Sequence, residues 1–367
     1  MNTRNRLGML VLLLMLVLTT ACGGGQTTGS SPNPEPGTGA SGVGASSEGG
    51  GNPAAEAPKE TLKLKVGYDG FSMTTAPMYY AEQKGIFDKY ALDVELMYVK
   101  GGSTLTQATI GGDIEIAQNG YTPAAQAIVE GAKLVFIGGI SNKLPFQMVV
   151  SSNISSAEDL KGKKIAISKF GSSTDKAAEL VLESIGLQRE DAVILQVGGS
   201  AERVAAAMTG QVDATMEQYP QTGDLLKTGS FKVLVDLTDL AGEYPNTGYV
   251  IKDGYLEDAT NREKTKRFFQ AMTEAIHLYK QDKQEAIRLT AEFLQMDDPS
   301  GLEETYQFYC DKVFPDIPKP TMVGIDLVLA DLVKEKPQAA NFSAAAITDV
   351  TIFDELEQEG FFKPYQQ

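Results

Sequence analysis

Strand-like apolar runs alternate with helical patterns along this chain, and that alternation is the feature that most limits its fold. Leu62–Val66 reads as a strand, and Ala76–Lys84 then reads as a helix that Gly85 ends. The same order recurs through short glycine-containing links as far as residue 251. It predicts an α/β fold with mainly parallel sheets and helices on both faces.

The alternation starts afresh after Ser151, which predicts two lobes. A strand at 164–168 leads into a helix, and two further strand–helix pairs follow before a last strand at 247–251. Beyond residue 261 the pattern is nearly all helical, so this part needs a sheet to cover. The predicted domains are lobe I at 61–150 plus 250–367 and lobe II at 151–249, with two crossovers that form a hinge.

The N-terminus is typical of an export signal. Arg4 and Arg6 precede the apolar run Leu7–Leu18, which is short for a membrane span. Small residues and Cys22 follow, as at a lipoprotein cleavage site. We expect residues 1–22 to be a signal peptide and Cys22 to be lipidated; the alternative is plain secretion with Cys22 as an incidental thiol.

Residues 23–60 are rich in Gly, Ser and Pro and cannot bury a core, which predicts a disordered tether. A flexible coil of that length has an r.m.s. reach of roughly 35 Å. The folded part is therefore expected on the outer face of the cell membrane, or in the periplasm, and held to the membrane only by the N-terminal lipid.

Composition narrows the classes of partner. The formal net charge of −16 argues against nucleic acid, and it means that a bound anion needs local hydrogen-bond donors. No phosphate loop, dinucleotide turn or zinc spacing is present, and the one histidine, His277, lies in the middle of a helical pattern. We therefore expect a monomer that binds a small molecule without a cofactor or metal.

Ligands of open α/β sheets bind beyond the carboxyl ends of the strands. Four loops qualify because each ends a strand and begins a helix, and two fall in each predicted lobe. The candidate ligand-binding residues are Asp69, Phe71, Ser72, Met73, Thr74, Asn119, Gly120, Tyr121, Thr122, Lys169, Gly171, Ser172, Ser173, Thr174, Glu217, Gln218, Tyr219 and Tyr249.

The loop Ser168–Lys176, with the sequence SKFGSSTDK, is the most specific candidate of the four for anion binding. Gly171–Thr174 offers backbone and hydroxyl donors for a sulfonate-like anion, and Lys169 adds a positive charge. The alternative is an ordinary helix start. Micromolar affinity requires about 8 kcal/mol, and a hydrogen bond to a charged acceptor contributes about 1.5–3 kcal/mol. Four or five donors therefore suffice.

The remaining candidates have competing interpretations. Glu217 and Asp69 are placed to accept an ammonium or N–H of a ligand, or else they are solvated rim carboxylates. The side chains of Phe71, Tyr121, Tyr219 and Tyr249 are interpreted as aromatic walls, with core packing as the alternative. A small-molecule enzyme that uses Asp69 and Glu217 is a further alternative, although no other catalytic pattern is present.

In this order and spacing, several short motifs resemble the substrate-binding lipoproteins of ABC importers of the nitrate/sulfonate/taurine type. The motifs that carry the resemblance are Val66-Gly67-Tyr68 with Ala76-Pro77, AEQKGIF at 81–87, GGDIEIA at 111–117 with Tyr121–Ala124, DLKGKKIA at 159–166 and GQVDA at 210–214. The resemblance implies a two-lobed periplasmic-binding-protein-like fold of type II. It also implies that the ligand passes to an ABC permease driven by an ATPase, and that the chain is not an enzyme.

That family also contains binders of thiamine-pyrimidine precursors. The Asn–His pair typical of them after the first strand is absent, and Ser72–Thr75 stands in its place. We therefore expect a receptor for a small organic sulfonate, with a heterocyclic amine or a thiamine-pyrimidine precursor as the alternative ligand.

Overall fold

The structure is a computed structural model that describes residues 60–240, 242–296 and 298–366. The predicted signal peptide, the predicted lipidation at Cys22 and the predicted tether, apart from its last residue, lie outside these ranges. Within them, no helix is both long enough and apolar enough to cross a bilayer.

Two five-stranded sheets form the framework of the described chain. The first has the order β2-β1-β3-β10-β4 and the second the order β7-β6-β8-β5-β9. The strands are β1 Leu62–Tyr68, β2 Leu92–Tyr98, β3 Ile116–Gly120, β4 Leu134–Ser141, β5 Gln147–Ser151, β6 Lys164–Ile167, β7 Val193–Gln196, β8 Ala214–Glu217, β9 Phe231–Asp236 and β10 Thr247–Lys252.

Each sheet is parallel except for the strand that enters it from the other sheet. β10 pairs antiparallel with β3 and β4, and β5 pairs antiparallel with β8 and β9. The predicted boundary of lobe I at residue 150 is therefore wrong by one strand, because β5 belongs to the second sheet. The chain crosses between the sheets at residues 142–146 and returns at 237–246.

Helices cover both sheets, as the alternating pattern predicts. They are α1 Ala76–Gln83, α2 Ile86–Lys89, α3 Gly102–Gly111, α4 Tyr121–Val129, α5 Ser173–Ser184, α6 Ser200–Met208, α7 Gln221–Lys227, α8 Leu237–Leu240, α9 Ala259–Gln281, α10 Lys283–Phe293, α11 Leu302–Phe308, α12 Met322–Leu332 and α13 Thr351–Gln358. The apolar face of α9 shares one core with β1 and α1, which explains why the chain returns to the first sheet.

Candidate functional site

Three helix starts meet at a cavity of about 280 Å³, which we call the helix-start cavity. The first sheet contributes Asp69, the start of α3 and the start of α4, and the second sheet contributes the loop from β6 to α5. Its lining residues are Asp69, Gly102, Ser103, Gly120, Pro123, Gln126, Ser168, Lys169, Gly171, Ser172, Ser173 and Thr174. Three of the four predicted strand-end loops therefore meet here.

The hydroxyls at the start of α5 hold the loop in shape. The oxygens of Ser168, Ser172 and Thr174 lie 2.8–2.9 Å from one another. Ser172 caps α5 by accepting the backbone N–H of Asp175. These hydroxyls are therefore committed mainly to the loop, which supports the helix-start interpretation for Ser172 and Thr174.

Ser173 differs from its neighbours because its hydroxyl has no hydrogen-bond partner within the described part of the chain, although it lines the cavity. The backbone N–H groups of Ser173 and Thr174 belong to the first turn of α5, where a helix offers no acceptor. The two residues that carry these three donors line the second-sheet side of the cavity.

Charges around this loop separate into paired and free groups. Asp175 accepts the backbone N–H of Gly171 at 2.9 Å and forms an ion pair with Arg189 at 2.6 Å. Lys169 is exposed, and none of the ion pairs among the described residues includes it. A bound anion would therefore meet the ammonium of Lys169 while the charge of Asp175 is compensated.

Asn119 ties the starts of α3 and α4 together. Its Nδ2 donates to the carbonyl of Gly102 and to the hydroxyl of Thr106, and its Oδ1 accepts the backbone N–H of Gly120. A Cβ on Gly102 would lie 2.7 Å from Oδ1 of Asn119 and 3.1 Å from Oδ2 of Asp69, so a side chain there would displace the Asn119 amide. Asn119 is therefore a positioning residue whose polar atoms are already used.

Asp69 contributes an unpaired carboxylate to the same cavity. It directly follows β1, is half-buried, and forms no ion pair with any described Lys or Arg. Burial raises the pKa of Asp69 to about 6, against the opposing effect of a backbone hydrogen bond. The cavity thus combines hydrogen-bond donors that suit an anion with one carboxylate, that of Asp69, whose pKa is about 6.

The prediction that Glu217 accepts a ligand N–H at the cleft rim is not supported, because its side chain is fully buried. Arg203 Nε lies 3.1 Å from Oε1 of Glu217, and Arg203 Nη2 lies 3.0 Å from Oε2. Thr215 and Ser200 donate to the same carboxylate, whose pKa burial raises and these donors lower. All its acceptor positions are therefore engaged.

Arg203 is one of the residues that the sequence did not predict, together with Ser103 and Gln126 of the helix-start cavity. It lies on α6 in an alanine-rich helical pattern, is itself buried, and lines a second cavity of about 410 Å³. A single arginine among alanines, one helix turn after Gly199, was the available signal. The local pattern does not reveal that its partner is 14 residues away on β8.

This second cavity, which we call the aromatic cavity, also lies between residues of both sheets. Its lining residues are Phe71, Ser72, Met73, Phe146, Ser200, Arg203, Gln218, Tyr219, Pro220, Gln221, Asp224, Leu294 and Met296. It contains the fourth predicted loop, and five of the predicted site residues. Thr74 is buried instead, where its carbonyl accepts from Gln118 at 2.8 Å.

Two of the four predicted aromatic walls belong to the core. Tyr121 stacks on Phe136 and donates its hydroxyl to the carbonyl of Gly138. Tyr249 is fully buried, and its ring packs edge-on against Phe268 and Phe269 of α9. The reason is that Tyr121 turns toward β4, while Tyr249 lies on the inner strand β10 beneath α9.

A third cavity of about 610 Å³ lies beside α12, and Thr122 lines it. The residues that line both this cavity and the helix-start cavity are Gln126, Lys169, Gly171 and Ser172. The third cavity is the largest of the three, but its charged groups largely satisfy one another. Lys176 pairs with Asp331 at 2.8 Å, and Lys334 pairs with Glu179 at 2.8 Å. These pairs connect α5 to the segment around α12, which indicates a structural role.

Two sheets joined by two crossovers, with strand ends and helix starts facing a shared cleft, define the periplasmic-binding-protein fold. A family model described as NMT1/THI5 like matches residues 72–286, more than half of the chain. The chain belongs to this family, as the short motifs indicated.

Solved structures agree with this fold. The alkanesulfonate-binding protein SsuA from Xanthomonas axonopodis pv. citri, bound to MOPS, is similar with a TM-score of 0.64 and 22% identity, covering 80% of this chain and 99% of that one. The periplasmic aliphatic sulphonate binding protein SsuA from Escherichia coli has a TM-score of 0.62 and 24% identity, covering 75% and 87%. The periplasmic nitrate-binding protein NrtA from Synechocystis PCC 6803 has a TM-score of 0.65 and 15% identity, covering 83% and 90%. These likenesses confirm the predicted fold class.

Proposed function

We propose that this protein is the extracytoplasmic solute-binding subunit of an ABC importer and that it captures a small organic sulfonate in the cleft between its two sheets. The observation that carries the proposal is the helix-start cavity, where three helix N-termini converge with the free hydroxyl of Ser173 and the ammonium of Lys169. The three similar structures named for binding sulfonates or nitrate support an anionic ligand for this fold.

The energetics of this cavity are sufficient for micromolar binding. Each helix N-terminus contributes about 0.3–1 kcal/mol toward an anion, and each hydrogen bond to a charged acceptor contributes about 1.5–3 kcal/mol. Five donors are available. Three are the backbone N–H groups of Ser173 and Thr174 and the hydroxyl of Ser173, and the other two are the ammonium of Lys169 and the hydroxyl of Ser103. Their sum reaches the roughly 8 kcal/mol that micromolar affinity requires.

Asp69 favours one second candidate, a ligand that also carries an ammonium or N–H. Its carboxylate lacks a cationic partner within the described ranges, so such a ligand would bring one. A zwitterion or a heterocyclic amine meets this condition, whereas Glu217 is already saturated by Arg203. The carboxylate pair that the enzyme alternative requires does not face one cavity.

Isothermal titration calorimetry of the purified protein tests the ligand class. The panel is ethanesulfonate, taurine, nitrate and an aminopyrimidine at pH 7. We expect saturable binding of at least one sulfonate, and about tenfold weaker binding by Ser173→Ala because one hydrogen bond to the anion is lost. Thr104→Ala, whose exposed side chain lies outside the cavity lining, is the matched control.

The outcome that would sink the sulfonate proposal is a clear titration by the pyrimidine with no heat from any sulfonate. If Ser173→Ala binds the sulfonate as tightly as the parent protein, the sulfonate does not bind at the start of α5. Recovery of the bound compound unaltered after long incubation would support the receptor role and contradict the enzyme alternative.

The proposal includes export and anchoring through the N-terminus, with residues 1–22 as a lipoprotein signal and 23–60 as a tether to the folded part. Cys22→Ala removes the acceptor for the lipid. We expect this variant to appear in the medium or the soluble periplasmic fraction, whereas the parent protein sediments with membranes. Unchanged membrane retention of Cys22→Ala would contradict the anchor.

A further inference from the structure

A cluster of aromatic rings on the first-sheet side of the cleft includes one ring, that of Phe71, that remains partly exposed. Phe71 lies 4.8 Å from Tyr98, 5.2 Å from Phe293 and 5.9 Å from Tyr68, measured between ring centroids. Despite these three neighbours, 44% of Phe71 remains exposed, and Phe71 lines the aromatic cavity. The ring is therefore packed against three neighbouring rings while part of it stays accessible at the cavity.

The opposite wall of the aromatic cavity comes from the second sheet and is also aromatic. Tyr219 follows β8, is half-buried, and packs 5.0 Å from Phe308 at the end of α11. The other apolar residues of the lining are Met73, Phe146, Pro220, Leu294 and Met296. At about 410 Å³, the cavity lies within the range of roughly 300–1,000 Å³ that small-molecule sites occupy.

The charged groups of this cavity are compensated. Arg203, which lines the cavity, is paired with the buried Glu217, and Asp224 pairs with Lys227 at 3.6 Å. The remaining polar side chains, which include Ser72 and Gln218, are neutral. With its charged groups paired, the cavity offers aromatic rings beside neutral hydrogen-bonding groups, which suits the uncharged body of a ligand rather than its anionic head.

One loop joins the aromatic cavity to the helix-start cavity. Asp69 lines the helix-start cavity, and Phe71–Met73 lines the aromatic cavity. Because consecutive Cα atoms lie about 3.8 Å apart, the Cα atoms of Asp69 and Phe71 are at most about 7 Å apart. One short loop therefore lines both cavities.

Resting on the proposed function, we propose that the ligand is an aromatic sulfonate whose ring lies against Phe71 in the aromatic cavity while its sulfonate binds at the start of α5. Aromatic rings attract each other beyond the burial of area when they meet edge-on or offset. Phe71 and Tyr219 offer two rings, already ordered by their neighbours, for such contacts. A saturated chain of the same carbon number gains burial but lacks this additional attraction.

Calorimetry of the full chain with methanesulfonate, hexanesulfonate and benzenesulfonate tests this inference. We expect benzenesulfonate to bind roughly tenfold more tightly than hexanesulfonate. Phe71→Leu keeps an apolar side chain without the ring, so this variant should lose the preference for benzenesulfonate and retain its affinity for methanesulfonate. Phe71→Trp should retain the preference.

Met208→Ala removes another exposed apolar side chain, on α6 and outside the aromatic cavity, and serves as the matched control, with no expected change in any affinity. Thermal unfolding of each variant confirms that it folds. Equal binding of hexanesulfonate and benzenesulfonate, or a preference that survives in Phe71→Leu, would overturn the aromatic ligand while leaving the sulfonate receptor intact. Absence of binding by all three sulfonates, methanesulfonate included, would overturn both.

Discussion

Arg203→Ala is expected to lower the free energy of unfolding by about 3–5 kcal/mol, because it leaves a buried carboxylate without its cation. Glu217 is completely buried, and both of its oxygens accept from the guanidinium of Arg203. Ser200 and Thr215 cannot supply the lost positive charge. Urea unfolding at pH 7, followed by circular dichroism, measures the loss.

The pH dependence of this loss identifies its origin. Without Arg203, burial raises the pKa of Glu217 further, so the folded state favours the protonated carboxyl. The penalty for ionised Glu217 is then present at high pH and is relieved as the pH falls through the folded pKa. We therefore expect Arg203→Ala to lose more stability at pH 8 than at pH 5.

Two controls separate the buried charge from simple truncation. The double variant Arg203→Met/Glu217→Leu removes both charges and should recover most of the lost stability. Arg288→Ala removes a surface arginine paired with Glu285 and Glu292, and its unfolding midpoint should not change. A double variant as unstable as Arg203→Ala would contradict the buried ion pair as the cause.

Asp69→Asn is expected to stabilise the fold by about 3 kcal/mol at pH 8. The pKa of Asp69 is about 6 in the folded protein against an ordinary value of 3.8, and each pKa unit corresponds to about 1.4 kcal/mol. Because the folded pKa is raised, ionised Asp69 destabilises the fold, with the full penalty above about pH 6 and none well below pH 3.8. The gain should fall to about 1 kcal/mol at pH 4.5.

Urea unfolding at pH 8 and pH 4.5 tests this expectation, with Asp93→Asn as the control on the exposed edge strand β2. A gain that is the same at both pH values, or a loss at pH 8, would contradict the unpaired carboxylate. The same variant separates the two ligand candidates. Asp69→Asn should bind an alkanesulfonate more tightly, because a negative charge is removed, and a zwitterion more weakly, because its ammonium loses a partner.

The strand–helix order and the strand-end loops could be predicted because they depend on local patterns. The loop from β6 to α5 shows this most clearly, since the apolar strand, the glycine and the capping serine lie together in the chain. The apolar face of α9 could likewise be predicted from the spacing of its apolar residues, and these residues are buried against the first sheet.

Features that depend on partners distant in the chain could not be predicted. The sheet to which β5 belongs depends on pairing with β8, more than 60 residues away. The sequence of an apolar strand does not indicate which strand it pairs with. The burial of Glu217 depends on Arg203, and the burial of Tyr249 depends on α9. Glu217 and Tyr249 are residue types that occur both in clefts and in cores, and only the tertiary packing determines where each one lies.

A crystal structure of the protein soaked with an alkanesulfonate or benzenesulfonate tests the central claim most directly. We expect the sulfonate oxygens within hydrogen-bond distance of the backbone N–H groups of Ser173 and Thr174, with further contacts from the start of α3, so that residues of both sheets touch one ligand. A sulfonate bound only in the cavity beside α12, or on one sheet without contact to the start of α5, would contradict the account.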